Sequence, residues 1–458
     1  MNTDTIIAQT TPQGVGALAM LRMSGKDVFQ IMNQCVLLAS KKSLLSVDTH
    51  TVHYGSVYSA DGELLDTVLC MVMHAPKTFT GENSLEITCH NNPFIVQAII
   101  EVALHYGARL ARPGEFTQRA VLHGKMDLLQ AESIHELVSA HSETLLKKAL
   151  SQSQGSLSAW VFECEQKLLT ALSYTQASFE FVEEEGADFQ NQVKSIILQL
   201  QKTLEAICAH FKGQEHVRQG IRIALVGSVN VGKSSLFNSL IGKDRAIVTP
   251  IAGTTRDALE ATVHRNGLFL TFVDTAGLRQ TDDVIESMGI EQSYKEAELC
   301  DVLLLVYDAS RELSEAEISV YMDLKKQYSS KCIILKNKSD LLACSELQKN
   351  VAQEKNIFFV SGKHDHNLAI IHECIDKKIS DLKDKAELPF VLNNRHYSIC
   401  KTLLKKIESI NILCKKTFPY ELVSHHLLES LTCVADLSGK TVSEAAMDQI
   451  FKQFCVGK

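Results

Sequence analysis

The chain has 458 residues, of which 45% are hydrophobic, 22% charged and 6% aromatic; 46 Lys+Arg against 54 Asp+Glu leave a net charge of −8. At roughly 150 residues per domain, this length suits about three domains, each able to bury its own core. The acidic balance argues against a chain built to coat nucleic acid, and no run of about 18 apolar residues offers a membrane-spanning helix.

The opening Met1-Asn2-Thr3-Asp4-Thr5 lacks the basic-then-apolar order of a secretory signal. The thirteen cysteines include no Cys-x-x-Cys pair, so reduced thiols in a cytoplasmic protein without membrane attachment are expected. Over 1–120, short β-rich runs (Thr67–Met73, Leu85–Thr88) alternate with Gly and Pro signals and one helical stretch, Ile95–His105, which predicts an α+β domain. No proline falls between Pro113 and Pro250, and Met126–Leu150 and Leu157–Ser178 repeat Leu, Ala and Ile every three to four residues. Long amphipathic helices are predicted for 121–219.

From 220 to 377 the character changes. Apolar runs at Ile221–Val226, Leu268–Val273, Val302–Tyr307, Cys332–Leu335 and Ile357–Val360 alternate with helical patterns. Continuous apolar strands separated by helices predict a parallel sheet covered on both faces. The segment 378–458 is helical again, interrupted near Pro419, so an α/β domain is expected to be inserted into a helical one.

Gly227-Ser-Val-Asn230-Val231-Gly232-Lys233-Ser234 follows the first of these apolar runs and precedes the helical pattern Ser235–Leu240. Strand, glycine loop and helix in that order form a phosphate cradle, with loop N–H groups and the helix N-terminus facing the anion. Lys233 is expected to reach the β- and γ-phosphates and the Ser234 hydroxyl to ligate Mg²⁺. Asp274-Thr275-Ala276-Gly277 ends the second run; its Asp can hold Mg²⁺ through water, and the Gly277 N–H can meet the γ-phosphate. Asn337-Lys338-Ser-Asp340 ends the fourth. The Asp340 carboxylate can accept two N–H bonds from guanine, a pair adenine does not offer, so the segment selects GTP over ATP. Ser361-Gly362-Lys363 can add a backbone contact to the base. Together these four segments resemble the signature of Ras-like GTPases.

Two features depart from the Ras pattern. Leu278 stands where Ras-type proteins place the glutamine that orients the attacking water, leaving Arg256, Arg279, Asp282, Asp283 and Glu286 as nearby polar groups. The loop Thr249-Pro250-Ile251-Ala252-Gly253-Thr254-Thr255 is small and carbonyl-rich, and either Thr254 or Thr255 can add a hydroxyl to Mg²⁺. Asn230 offers a side-chain carbonyl to a monovalent cation that would replace an arginine finger in neutralising developing charge.

At this level the sequence resembles the bacterial tRNA-modification GTPases MnmE (TrmE), of the TrmE-Era-EngA-like group. The likeness is carried by Asp4–Gln9, Leu21–Gly25, Phe79-Thr-Gly-Glu-Asn83, Ala111-Arg-Pro-Gly-Glu-Phe116, Gly253–Asp257, Asp274–Arg279 and Phe454-Cys-Val-Gly-Lys458. The resemblance implies a Ras-like GTPase domain inserted in an all-α domain behind an α+β N-terminal domain that binds 5-formyltetrahydrofolate and drives homodimerisation. The matching folate positions are Arg22, Glu86, Lys125 and Lys458. It implies K⁺ on Asn230, Thr249, Ile251 and Thr254, Mg²⁺ on Ser234 and Thr255, and Glu286 as the water-orienting residue. GTP contacts would run through Gly227, Asn230–Ser235, Thr249–Thr255, Asp274–Gly277, Asn337, Lys338, Asp340 and Ser361–Lys363. It further implies a tRNA substrate, an FAD-dependent partner, MnmG (GidA), in a heterotetramer, and Cys455 as a thiol of interest for the modification. A GTPase switch in ribosome assembly is the alternative reading, though no KH-type RNA module with a Gly-x-x-Gly loop flanks the domain.

Overall fold

The computed structural model of the chain describes residues 4–180, 189–242, 259–265, 267–274, 293–342, 357–364, 366–383, 388–416, 418–452, 454 and 457. One unit comprises Met1–Val138, Ser151–Lys202 and Asn394–Lys458, and a second comprises Ser139–Leu150 and Thr203–Asn393. In chain order the second unit is therefore inserted into the first.

The first unit opens with a seven-stranded sheet. Its strands are β1 (Ile6–Gln9), β2 (Leu18–Ser24), β3 (Val36–Leu38), β4 (Thr51–Tyr58), β5 (Leu64–Met73), β6 (Ser84–His90) and β7 (Arg109–Leu110), in the order β3-β4-β5-β6-β2-β1-β7. Every neighbouring pair is antiparallel except β1 with β7. Alternation decides the faces. Leu21 and Met23, Leu85 and Ile87, and Val68, Cys70 and Val72 point to one side and pack with Val96, Ile99 and Ala103 of the helix Pro93–His105. Asn92 caps that helix, its side chain accepting from the Phe94 N–H, and Pro93 occupies the first turn, where a missing N–H costs nothing. The opposite side carries Arg22 and Glu86 and, toward β4, the exposed Val52, Tyr54, Leu69 and Met71.

The same unit contains the helices Ser156–Glu180, Asn394–Lys416 and Tyr420–Ser438. Their buried positions recur every three or four residues, as in Leu157, Val161, Cys164, Leu168 and Ala171, and again in Cys400, Leu403, Ile407, Ile410 and Cys414. That spacing lays one apolar stripe along each helix, which is why the sequence pattern predicted them.

The second unit holds a six-stranded sheet, β8 (Ile221–Val226), β9 (Leu259–Arg265), β10 (Leu268–Asp274), β11 (Val302–Asp308), β12 (Cys332–Asn337) and β13 (Ile357–Phe359), in the order β13-β12-β11-β8-β10-β9. All pairs are parallel except the β9–β10 hairpin. Ile221, Ile223 and Leu225 face Leu236, Leu240 and Ile371, whereas Ala224 and Val226 face Ala297, Tyr321 and Leu324. Burial on both faces is the reason these strands read as unbroken apolar runs. Strand β9 is absent from those runs because it sits at the sheet edge and alternates Glu260, Thr262 and His264 with Ala261 and Val263.

The expected helix Met126–Leu150 is broken in two, Leu128–Val138 and Glu143–Ser153. At the break the Phe269 N–H donates to His141 O (2.9 Å) and the Glu143 N–H to Gly267 O (2.8 Å). Ser142 Oγ then accepts from the Leu145 N–H (3.0 Å) and starts the next helix. Tertiary hydrogen bonds have displaced intrahelical ones at a point where periodicity alone saw continuity.

Candidate functional site

β8 feeds the glycine loop directly into the helix Lys233–Gly242. Two loop residues need the left-handed region, Asn230 at φ 62° and Gly232 at φ 91°. Asn tolerates it. At Gly232 a side chain would also run into the Asn337 amide. Lys233 is buried, and its Nζ donates to Gly227 O and Ser228 O, each at 2.7 Å. Ser234 Oγ donates to Asp274 Oδ2 (2.7 Å), and Asp274, the last residue of β10, is fully buried. Two adjacent hard oxygen donors at a helix N-terminus suit Mg²⁺ beside a phosphate. Ser235 is exposed in the same first turn, and Val231 is buried in the core of this unit.

The loops after β12 and β13 are tied to the glycine loop through Asn337. Its Nδ2 donates to Val231 O (2.8 Å) and its Oδ1 accepts from the Gly362 N–H (3.1 Å). Gly362 is forced by space, since a Cβ there would lie 2.9 Å from the Leu236 N atom. Lys338, at φ 63°, pairs with Asp308 (2.6 Å). Burial raises the Asp308 pKa, but Lys338 and Ser310 more than reverse this and leave it below the usual carboxylate range. The Ser361 hydroxyl holds the Asp340 carboxyl below its ordinary pKa. Lys363 is exposed beside it. The strand-end loops thus bring together Asn230–Ser235, Asp274, Asn337, Lys338, Asp340 and Ser361–Lys363.

In the first unit, Arg22 on β2 lies directly across from Glu86 on β6, and their side chains pair at 2.8 Å. The Arg22 guanidinium is 5.5 Å from the Phe79 ring centroid and 5.8 Å from that of Phe116. Its Nη1 reaches Gly457 O (3.5 Å), bringing the C-terminal segment to the same place. Lys125 Nζ donates to Pro76 O (2.9 Å), and its Cδ is 3.5 Å from where a Cβ on Gly81 would be. Arg22, Glu86 and Lys125 thus gather around the Phe79–Asn83 turn.

Thr249–Thr255, Thr275–Gly277, Glu286, Cys455 and Lys458 lie outside the described residues, as do Arg256, Leu278, Arg279, Asp282 and Asp283. Sequence reading missed a charged network behind the folate-matching residues. Arg119 bonds Asp4 (2.8 Å), Glu82 (3.1 Å) and Glu115 (3.1 Å), while Arg109 bonds Asp4 and Glu115, each at 2.5 Å. Burial raises the Glu115 pKa, yet the two arginines and the Arg112 N–H bring it down to about 2. Only the four-residue spacing of Glu115 and Arg119 was visible beforehand. This network joins three of the segments on which the family likeness rests.

A mostly parallel sheet wrapped by helices, with the glycine loop after β8, Asp274 at the end of β10 and Asn337–Asp340 after β12, has the architecture of a Ras-like GTPase. The model for the GTP-binding protein TrmE N-terminus matches residues 5–125, and that for the MnmE helical domain matches residues 128–455. The tRNA modification GTPase MnmE of Bacillus velezensis is 34% identical, covering 99% of this chain and 100% of the relative. That of Lactococcus lactis subsp. lactis is 35% identical over 99% of this chain and 98% of the relative. Among solved structures, Era of Aquifex aeolicus bound to GDP and AlF4⁻ aligns with 41% of this chain and 66% of its own, at 25% identity and a TM-score of 0.28. The chain belongs to the tRNA modification GTPase MnmE family.

Proposed function

We propose that this protein hydrolyses GTP in step with modification of carbon 5 of the wobble uridine of certain tRNAs, adding an aminomethyl- or carboxymethylaminomethyl-type group together with the flavin-dependent MnmG. The observation that carries the reading is one chain that joins the GTPase loops to a TrmE-type N-terminal domain, with Arg22 and Glu86 paired on its sheet.

Within the second unit, Lys233 and the loop N–H groups would hold the β- and γ-phosphates, Ser234 with Thr255 would hold Mg²⁺, and Asp340 would read guanine. K⁺ would sit on Asn230, Thr249, Ile251 and Thr254, completed by pairing of two GTPase domains, and Glu286 would orient the water. Exposed Asn230, held with φ 62°, presents an amide oxygen of the kind a hard monovalent cation accepts.

In the first unit, Glu86 is chemically suited to the N–H edge of a pterin, and Arg22, Lys125 and Lys458 to a glutamate tail. The folate would supply the one-carbon unit when bound. Val52, Tyr54, Leu69 and Met71 pair across β4 and β5 and remain exposed, which supports a homodimer through this sheet face. Among the described residues no helix is long and apolar enough to cross a membrane.

Wobble nucleosides from cells lacking the protein, read by mass spectrometry, test the reading. The expected result is loss of the carbon-5 substituent together with purified-protein GTP turnover faster in K⁺ than in Na⁺. Intact wobble nucleosides and equal rates in both salts would favour the ribosome-assembly switch.

A further inference from the structure

We propose that Tyr321, on the helix Glu315–Gln327, is a positioning residue for the nucleotide phosphates and acts through Ser228. The inference rests on the phosphate-loop reading of Gly227–Ser234.

The pairing of β8 with β11 ends at Leu305–Val226. Ser228 lies two residues past that ladder, so its N–H needs another acceptor. It finds the Tyr321 phenol, donating to Oη over 2.6 Å, with Ser228 Oγ 2.7 Å from the same oxygen. The phenol in turn donates toward Val306 O (3.4 Å) on β11. On its other side the Ser228 carbonyl accepts from Lys233 Nζ. Gly227 is pressed against the Val306 carbonyl and has no room for a side chain, so the start of the loop cannot slide toward the sheet.

The phenol itself is fixed. Tyr321 is 4% exposed, and its ring packs on Tyr307 with centroids 4.5 Å apart. The start of its helix is held by a capping box between Ser314 and Glu317, and Glu317 also pairs with Arg311 at 2.6 Å. A rigid helix therefore reaches the second residue of the loop through the Tyr321 hydroxyl at its peptide N–H, while Glu317 on the same helix bonds the Ser228 side chain. The Gly227 and Ser228 carbonyls both accept from the Lys233 ammonium and help to aim it. An ammonium has three donors, and where these two carbonyls stand biases the direction in which it faces a phosphate. Without the hydroxyl, the Ser228 peptide loses its acceptor and can turn, carrying the Lys233 acceptor with it.

The test is Tyr321→Phe in the full chain, with Tyr328→Phe as a control at the end of the same helix and Lys233→Ala as a probe of the loop. Phenylalanine keeps the ring contact with Tyr307, and circular-dichroism melts verify the fold. The expected result is a GTP KM raised about five- to tenfold, with a matching loss of fluorescent-GDP affinity and kcat within about threefold. Tyr328→Phe should match wild type. A merely structural role would lower the competent fraction, and hence kcat, leaving KM unmoved. A KM within twofold of wild type overturns the proposal, whatever kcat does. If Lys233→Ala keeps full GTP affinity, the phosphate-loop reading fails; if it loses affinity while Tyr321→Phe does not, only the role of Tyr321 fails.

Discussion

Ser234 Oγ and Asp274 Oδ2, 2.7 Å apart, join the first turn of the helix Lys233–Gly242 to the last residue of β10. The bond couples a helix start to a strand end 40 residues further along the chain and leaves a fully buried carboxylate oriented by a hydroxyl. If that pair shapes the Mg²⁺ site, Asp274→Asn keeps the volume and removes the charge. The expected effect is a 10- to 100-fold increase in the Mg²⁺ concentration needed for half-maximal GTP turnover. A Mg²⁺ titration of steady-state hydrolysis checks it, and an unchanged midpoint would remove Asp274 from the metal site.

Asp340→Asn reverses the hydrogen-bond sense facing the base. Guanine offers two N–H donors on that edge, whereas xanthine has a carbonyl in place of the amino group. The variant should lose GTP affinity on the order of 100-fold and gain xanthosine triphosphate affinity by a comparable factor. Competition binding with both nucleotides measures this. Weaker binding of both would mean that Asp340 supports the loop and does not read the base. The Ser361 hydroxyl keeps the Asp340 carboxyl ionised below the ordinary range, so guanine selectivity should persist on acidification to pH 5.

Short-range pattern carries the second unit almost entirely. A strand buried on both faces announces itself as an apolar run, and a phosphate loop must keep Gly232 and Lys233 in fixed order because the backbone turn demands it. Edge strand β9 and the break at Ser139–Ser142 were hidden, since one is half polar and the other depends on bonds to Gly267 and Phe269. The Arg109–Arg119 network was hidden for a similar reason. Asp4, Glu82 and Glu115 are scattered along the chain, and only folding makes them neighbours. Arg22 and Glu86 sit 64 residues apart, and their pairing follows from the register of β2 on β6, which no local spacing encodes.

That pairing sets up a third prediction. Glu86→Gln retains the shape of the side chain but offers one acceptor oxygen where the carboxylate has two and adds a donor, so the N–H edge of a pterin is met less well. Binding of 5-formyltetrahydrofolate, read by isothermal titration calorimetry, should weaken about 10- to 100-fold. GTP turnover in the absence of folate should be unchanged. Equal folate affinity in both proteins would return Glu86 to a plain partner of Arg22.

Glu132 offers a test of the helical part of the first unit. Its carboxylate, 5% exposed, accepts from His396 Nε2 (2.6 Å) and from Arg395 (2.7 Å). Burial raises its pKa, but the charge and hydrogen bonds of His396 and Arg395 more than reverse this and leave it at about 2, against an ordinary 4.5. A native pKa below the unfolded one stabilises fully above the unfolded value, and that contribution is lost as pH falls from about 4.5 through 2. Glu132→Gln should therefore cost about 3 kcal/mol at pH 7, because it leaves half-buried Arg395 and buried His396 facing a neutral amide. Denaturant unfolding at pH 7, 4.5 and 3 checks the sign. The gap between wild type and variant should be widest at pH 7 and narrow below pH 4.5. A gap that stays constant down to pH 3 would mean that the shape of the side chain, and not its charge, holds Leu128–Val138 against Asn394–Lys416.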